Sequence, residues 1–114
     1  MDKIVSKVAA LGIPGLVLII AMGATGLSGA AAVTTALAAL GPGGMIGGIA
    51  VLGVAGLLAH SISEYGVDVI FSAVVKELIK KGETEQSIRD KIDKYPVSQS
   101  LKRKLREELD KNFK

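Results

Sequence analysis

Apolar and polar positions alternate with a helical period at both ends of this chain and lose all period in between. From Asp2 to Leu11, Ile4, Val8 and Leu11 recur at helical spacing with Lys3 and Lys7 to one side, which predicts a short amphipathic helix. Asp2 near its start suits the positive end of the helix dipole. Gly12-Ile13-Pro14-Gly15 interrupts the pattern. Pro14 lacks an amide hydrogen and is better placed in a first helical turn than in an interior, so a kink or a restart is expected there.

From Gly15 to Met22 the residues are apolar on every side. Such a helix must be buried, in protein or in lipid. Gly23 to Gly29 holds three glycines in seven residues, which predicts a break or a close crossing, with Gly26 and Gly29 at the kink. Ala30 to Leu40 resumes as a small-residue helix. Alone it falls short of the ~20 residues of a membrane span, but joined to Pro14–Ser28 it is long enough. Gly41-Pro42-Gly43-Gly44 is the strongest turn signal in the chain and the expected hairpin turn. Met45 to Ser63 is then a second apolar segment of about spanning length. Gly44, Gly48, Ala55 and Ala59 fall on one narrow face beside Val51, with Ile46, Ile49 and Leu57 opposite. A smooth small-residue face lets a second backbone approach closely, which makes it a candidate helix-packing face.

The period returns after Tyr65. Val67, Ile70, Val74 and Leu78 line one side of a helix reaching Lys81, with Asp68, Glu77, Lys80 and Lys81 near the other. Lys80-Lys81-Gly82 is a helix-end signature. Thr84 can cap the next helix, which carries Ile88 and Ile92 and ends near Tyr95, before Pro96. Ser98 can cap a last helix with Leu101, Leu105 and Leu109 at four-residue spacing, continued by Phe113. The expected fold is therefore all-α: an apolar Gly/Ala-rich helical hairpin, an amphipathic helix leaving it, and a C-terminal two-helix hairpin. Three regions follow: an amphipathic N-terminal arm (1–12), an uncharged hairpin (13–63) and a charged helical tail (64–114).

Charge sharpens this picture. Val8 to Ser63 is 56 residues without one Asp, Glu, Lys or Arg, while the tail from Glu64 holds twelve Lys/Arg and ten Asp/Glu. A soluble domain normally scatters charge through every amphipathic helix. A chain this small has little mass with which to cover so long an uncharged stretch. The leading expectation is therefore a membrane-inserting, oligomerising protein that alters membrane integrity, as a pore-former, effector or lysis protein does, with the tail as assembly or adaptor domain. Lys3 and Lys7 before the stretch and the cations after it place both termini on the cytoplasmic side of a two-span hairpin. The runner-up is a cytoplasmic filament or tube that buries the stretch between subunits. A third reading is a module whose groove holds a lipid or a partner helix. A secretory leader fits Val8–Met22, but Asp2 is awkward for it.

Candidate chemistry is sparse. There is no Cys, which excludes disulfides and thiolate metal sites, and His60 is the single histidine. No catalytic constellation is visible, so an enzyme is the least expected class and no cofactor is implied. Gly41–Gly44 has no preceding strand and no following Lys-Ser/Thr, so it is not a phosphate loop. Lys102, Arg103, Lys104 and Arg106 form the densest basic cluster. Glu107, Glu108 and Asp110 follow directly and no aromatics interleave, which disfavours nucleic acid as a partner. With Lys3 and Lys7 these four are the candidate headgroup contacts. The expected partners are the chain itself, the lipid bilayer, and a protein that binds the tail.

The run from Gly23-Ala-Thr-Gly-Leu-Ser-Gly through Leu40-Gly-Pro-Gly-Gly-Met-Ile-Gly-Gly-Ile resembles the Gly/Ala-rich hydrophobic module of the interferon-inducible 6-16 family and similar small bacterial proteins, over about residues 23–56. That resemblance implies a small membrane-associated protein linked to stress or cell death, without enzymatic activity. The charged tail departs from that family, whose members usually end soon after the apolar module.

Overall fold

The computed structural model describes residues 2–25, 49–95 and 99–113. Among these there are six helices and no strand: α1 (Asp2–Ala10), α2 (Ile13–Thr25), α3 (Ile49–Tyr65), α4 (Val67–Lys80), α5 (Glu85–Lys94) and α6 (Gln99–Asn112). The all-α class read from the sequence holds. The arrangement centres on α2, which packs against all five other helices.

That position follows from composition. Leu16, Val17, Leu18 and Ile19 occupy four successive helical positions and all four are fully buried. Four consecutive residues sweep more than a full turn of helix, so burying them requires cover from every direction. Each such side chain withdrawn from water contributes about 1.5–3 kcal/mol. The cover comes from amphipathic helices, each lending one stripe: Ile4, Val5 and Val8 of α1, Ile70, Phe71, Val74 and Leu78 of α4, Ile88 and Ile92 of α5, and Leu101, Leu105 and Leu109 of α6. The lead-in, the apolar stretch and the tail thus contribute to one hydrophobic cluster. The helix expected as an N-terminal arm is inside it, since α1 packs most extensively on α4 and also on α3 and α2.

Two sharp turns set the topology. The chain bends by 117° between α1 and α2 and again by 117° between α3 and α4. Both turns pass through a glycine at positive φ, Gly12 at +74° and Gly66 at +92°. A side chain there would clash with the neighbouring carbonyl, so glycine is the residue that lets a helix stop and restart without a longer loop. At the first turn the Leu11 and Gly12 amides donate to the Val8 and Ala9 carbonyls, and Pro14 falls in the first turn of α2. At the second, the Gly66 amide donates to the Ile62 carbonyl at 2.8 Å. The run of helix-forming residues continues in sequence across this point, yet a single Gly66 ends α3.

The tail follows its sequence signals closely. α4 closes with paired bonds, Glu83 amide to Leu78 carbonyl and Gly82 amide to Ile79 carbonyl, both 3.1 Å, which satisfy carbonyls that the helix end would orphan. Thr84 caps α5: its hydroxyl accepts from the Ser87 amide, and the Ser87 hydroxyl accepts from the Thr84 amide at 2.8 Å. Ser98, the expected cap of α6, lies outside the described residues.

The two expected spans run in part through residues 26–48, which lie outside the described residues. No single helix among the described residues is long and apolar enough to cross a membrane. α3 has 17 residues, and its last turns carry His60, Ser61, Ser63 and Glu64.

Candidate functional site

The candidate helix-packing face lies only partly within the described residues. Gly44 and Gly48 lie outside the described residues, as do the hairpin turn Gly41, Pro42, Gly43 and Gly44 and the kink residues Gly26 and Gly29. Val51 and Ala55 are helical positions of α3. Ala59, one turn further on, is half-buried and packs on the core of its own chain. Leu57, assigned to the opposite face by helical spacing, is 50% exposed, and beside it a Cβ added at Gly56 would meet nothing within 4 Å. α3 therefore turns Leu58 and its small residue Ala59 inward and Leu57 outward.

Close backbone approach occurs at other glycines. A Cβ on Gly15 would collide with the Val8 carbonyl oxygen and lie 2.8 Å from Val8 Cγ1. On Gly23 it would lie 2.5 Å from Val67 Cγ2. Gly15 locks α1 against α2, and Gly23 admits the first turn of α4. Nothing in the sequence distinguishes these two from the other glycines, because the contact partners are remote or set by the turn geometry.

The basic residues proposed as headgroup contacts separate into two groups. Lys102 donates to the Asp93 carbonyl at 2.7 Å, near the C-terminal end of α5, where a cation suits the helix dipole. Arg106 donates to the Asp93 carboxylate at 2.9 Å. Both are thus committed to the α5–α6 contact, and Arg89 crosses the same pair of helices to Asp110 at 2.9 Å. Arg103 and Lys104 remain exposed on α6, and Lys3 and Lys7 on α1. Among the described residues no ion pair involves Lys3 or Lys7.

Three surface grooves deserve description by their chemistry. One lies where Gly12, Ile13 and Pro14 meet Lys94 and Tyr95 of the α5 end. Its Lys91 is bonded at 2.6 Å to Glu83, which together with the Ser87 hydroxyl holds the Glu83 carboxyl below its ordinary pKa. Burial pushes the Tyr95 phenol up. A second lies where Ile20, Gly23 and Val67 meet Asp68 and Glu108. Burial, then the adjacent Asp68, raises the Glu108 carboxyl, while Lys111 at 3.2 Å opposes the rise. The third runs between α1 and α3, with Lys3 and Lys7 on one wall and Leu57, His60, Glu64 and Tyr65 on the other. His60 Nε2 is 3.5 Å from the Glu64 carboxylate.

No group of three or more His, Asp or Glu side chains among the described residues is placed to hold a metal ion. The first and third grooves combine apolar side chains with lysines. Residues 23–56, which carry the resemblance to the 6-16 family, lie mostly outside the described residues. No protein-family model, no curated protein and no solved structure matches this chain.

Proposed function

We propose that this chain is a small membrane-active protein that keeps its most apolar helix inside a jacket of its own amphipathic helices and delivers the uncharged stretch to a bilayer, where copies associate. The observation that carries this reading is the burial of α2. It is apolar on every side, and α4, α5 and α6 of the charged tail cover much of it. A helix of that composition has two stable surroundings, protein and lipid. The tail supplies the first through single apolar stripes, and the ion pairs that join its last two helices are mostly exposed and each weak. In this reading the charged tail is a sheath for α2, and membrane integrity is altered when α2 leaves it and enters the bilayer with the uncharged residues after it.

The test loosens the sheath. In the full chain, Leu105→Asp places a carboxylate in the fully buried stripe of α6. The expected result is a shift of the protein into a carbonate-resistant membrane pellet, with faster dye release from vesicles than the unaltered chain gives. A variant that stays out of the pellet and releases no dye would overturn the proposal. Uniform large particles formed without lipid would favour the self-assembling filament or tube.

A further inference from the structure

We infer that the groove between α1 and α3 is a docking face for anionic lipid headgroups, the surface by which this chain first meets a membrane. The inference rests on the membrane-active reading but concerns a separate, reversible step.

The carrying observation is a convergence. Lys7 and Glu64 are the residues immediately outside the two ends of the 56-residue uncharged stretch, and both line this one groove. The fold therefore gathers the two borders of the stretch onto a single face. A stretch that enters a bilayer as a hairpin must leave both borders at the same headgroup layer.

The side chains at this face match that layer. Lys3 and Lys7 are exposed and take part in no ion pair among the described residues, so their charge is available. Glu64 is the one acidic residue of the groove, against the two lysines, and lies 3.5 Å from His60 Nε2 of its own helix. Leu57 and Tyr65 stand out at 50% and 42% exposure, eight residues and thus ~12 Å apart along α3. Tyrosine, with an apolar ring and a polar tip, favours the membrane–water boundary, and an exposed leucine beside lysines is the pattern of interfacial helices. Ile4 and Ser61 form the buried floor, so the exposed groups are held on a packed base. Charge complementarity thus selects an anionic bilayer surface. The exposed cations of α6, Arg103 and Lys104, have Glu107 on the same helix and are not part of this groove.

The test is flotation of the full chain with phosphatidylcholine vesicles, with and without about 30% phosphatidylserine. Binding should require the anionic lipid and be reversed by salt. Reversing Lys3 and Lys7 together (K3E/K7E) should lower the apparent affinity at least about twenty-five-fold, taking about fivefold per lysine near an anionic surface. The matched pair R103E/K104E, with the same change in net charge, should stay within about threefold of the unaltered chain. Leu57→Ser should weaken binding without abolishing its dependence on phosphatidylserine. Circular dichroism of each variant confirms that the helices persist. Equal losses for the two charge-reversed pairs, binding independent of phosphatidylserine, or no binding at all would overturn the inference. Carbonate-resistant insertion that K3E/K7E leaves unchanged would overturn the docking face while the sheath reading stands. Salt-reversible docking with no insertion by Leu105→Asp would do the reverse.

Discussion

α2 and α6 sit against each other in the same core, yet their sequences could hardly differ more. α2 is apolar on all sides and carries no charge. α6 is polar and charged except for the row Leu101, Leu105, Leu109. In α6 the pattern dictates one buried face, and that face finds its cover in the next layer of the protein. In α2 the pattern dictates total burial without saying by what. The comparison teaches that hydrophobic periodicity specifies how much of an element must be covered, while the identity of the cover is decided by elements elsewhere in the chain. The covering helices each have a spare stripe, and α2 is where the stripes meet.

The sharpest way to break this comparison is to cut a leucine from each partner. Leu16→Ala in α2 and Leu105→Ala in α6 should each cost about 2–5 kcal/mol, because both side chains are fully buried in one cluster. Urea denaturation followed by circular dichroism should show one transition moving to lower denaturant in both variants. Two separate transitions, or a Leu105 variant that leaves the main one in place, would mean that the tail folds apart from α2.

A smaller effect separates two glycines that sequence alone treats alike. Gly15→Ala forces a Cβ onto the Val8 carbonyl and should cost about 1–3 kcal/mol. Gly56→Ala meets open space within α3 and should stabilise by about 0.5–1 kcal/mol through helix propensity. Opposite signs in thermal melting are the expected result. Matching signs would remove the close α1–α2 crossing from the account.

The smallest effect concerns pH at the α4–α6 contact. The folded pKa of Glu108 is raised, chiefly by burial and then by Asp68, so the folded protein holds this proton more tightly than the unfolded chain. Stability from this group is therefore present in acid and is lost as pH rises through the folded pKa, above the ordinary glutamate value of ~4.3. Glu108→Gln should raise the melting temperature at neutral pH by an amount worth within about 0.5 kcal/mol, and the gain should vanish in acid. A gain that grows in acid instead would show that Lys111, at 3.2 Å, dominates the site.

Much of the fold was legible from residues. The stripe Val67, Ile70, Val74 and Leu78, the Thr84 cap, the Lys80-Lys81-Gly82 helix end and the leucine row of α6 are local signals, and the structure follows them. Pro14 signalled a restart, and α2 starts at Ile13. The break at Gly66 was not legible, because one glycine inside a continuing period is usually tolerated at a cost near 1 kcal/mol. The place of α1 was hidden for another reason: Ile4, Val5 and Val8 reveal a face, but its main partner α4 is some sixty residues away. The candidate headgroup cluster illustrates the same limit. Lys102 and Arg106 read as a basic patch with Arg103 and Lys104, and only the packing of α5 beside them shows that Asp93 takes both. The convergence of Lys7 and Glu64 likewise needed the fold.

The placement of the sheath has a consequence for the order of synthesis. α2 leaves the ribosome early, while α4, α5 and α6, which cover much of it, lie at residues 67–112. From Thr25 to Phe113 the chain grows by 88 residues, which takes roughly 4–18 s at ordinary elongation rates. For that interval α2 has α1, and later α3, beside it but lacks the cover of α4, α5 and α6. In the proposed sheath reading, each newborn molecule passes a timed choice between completing its sheath and surrendering α2 to the nearest apolar surface. Slowing or hastening translation of the tail is then expected to shift that choice.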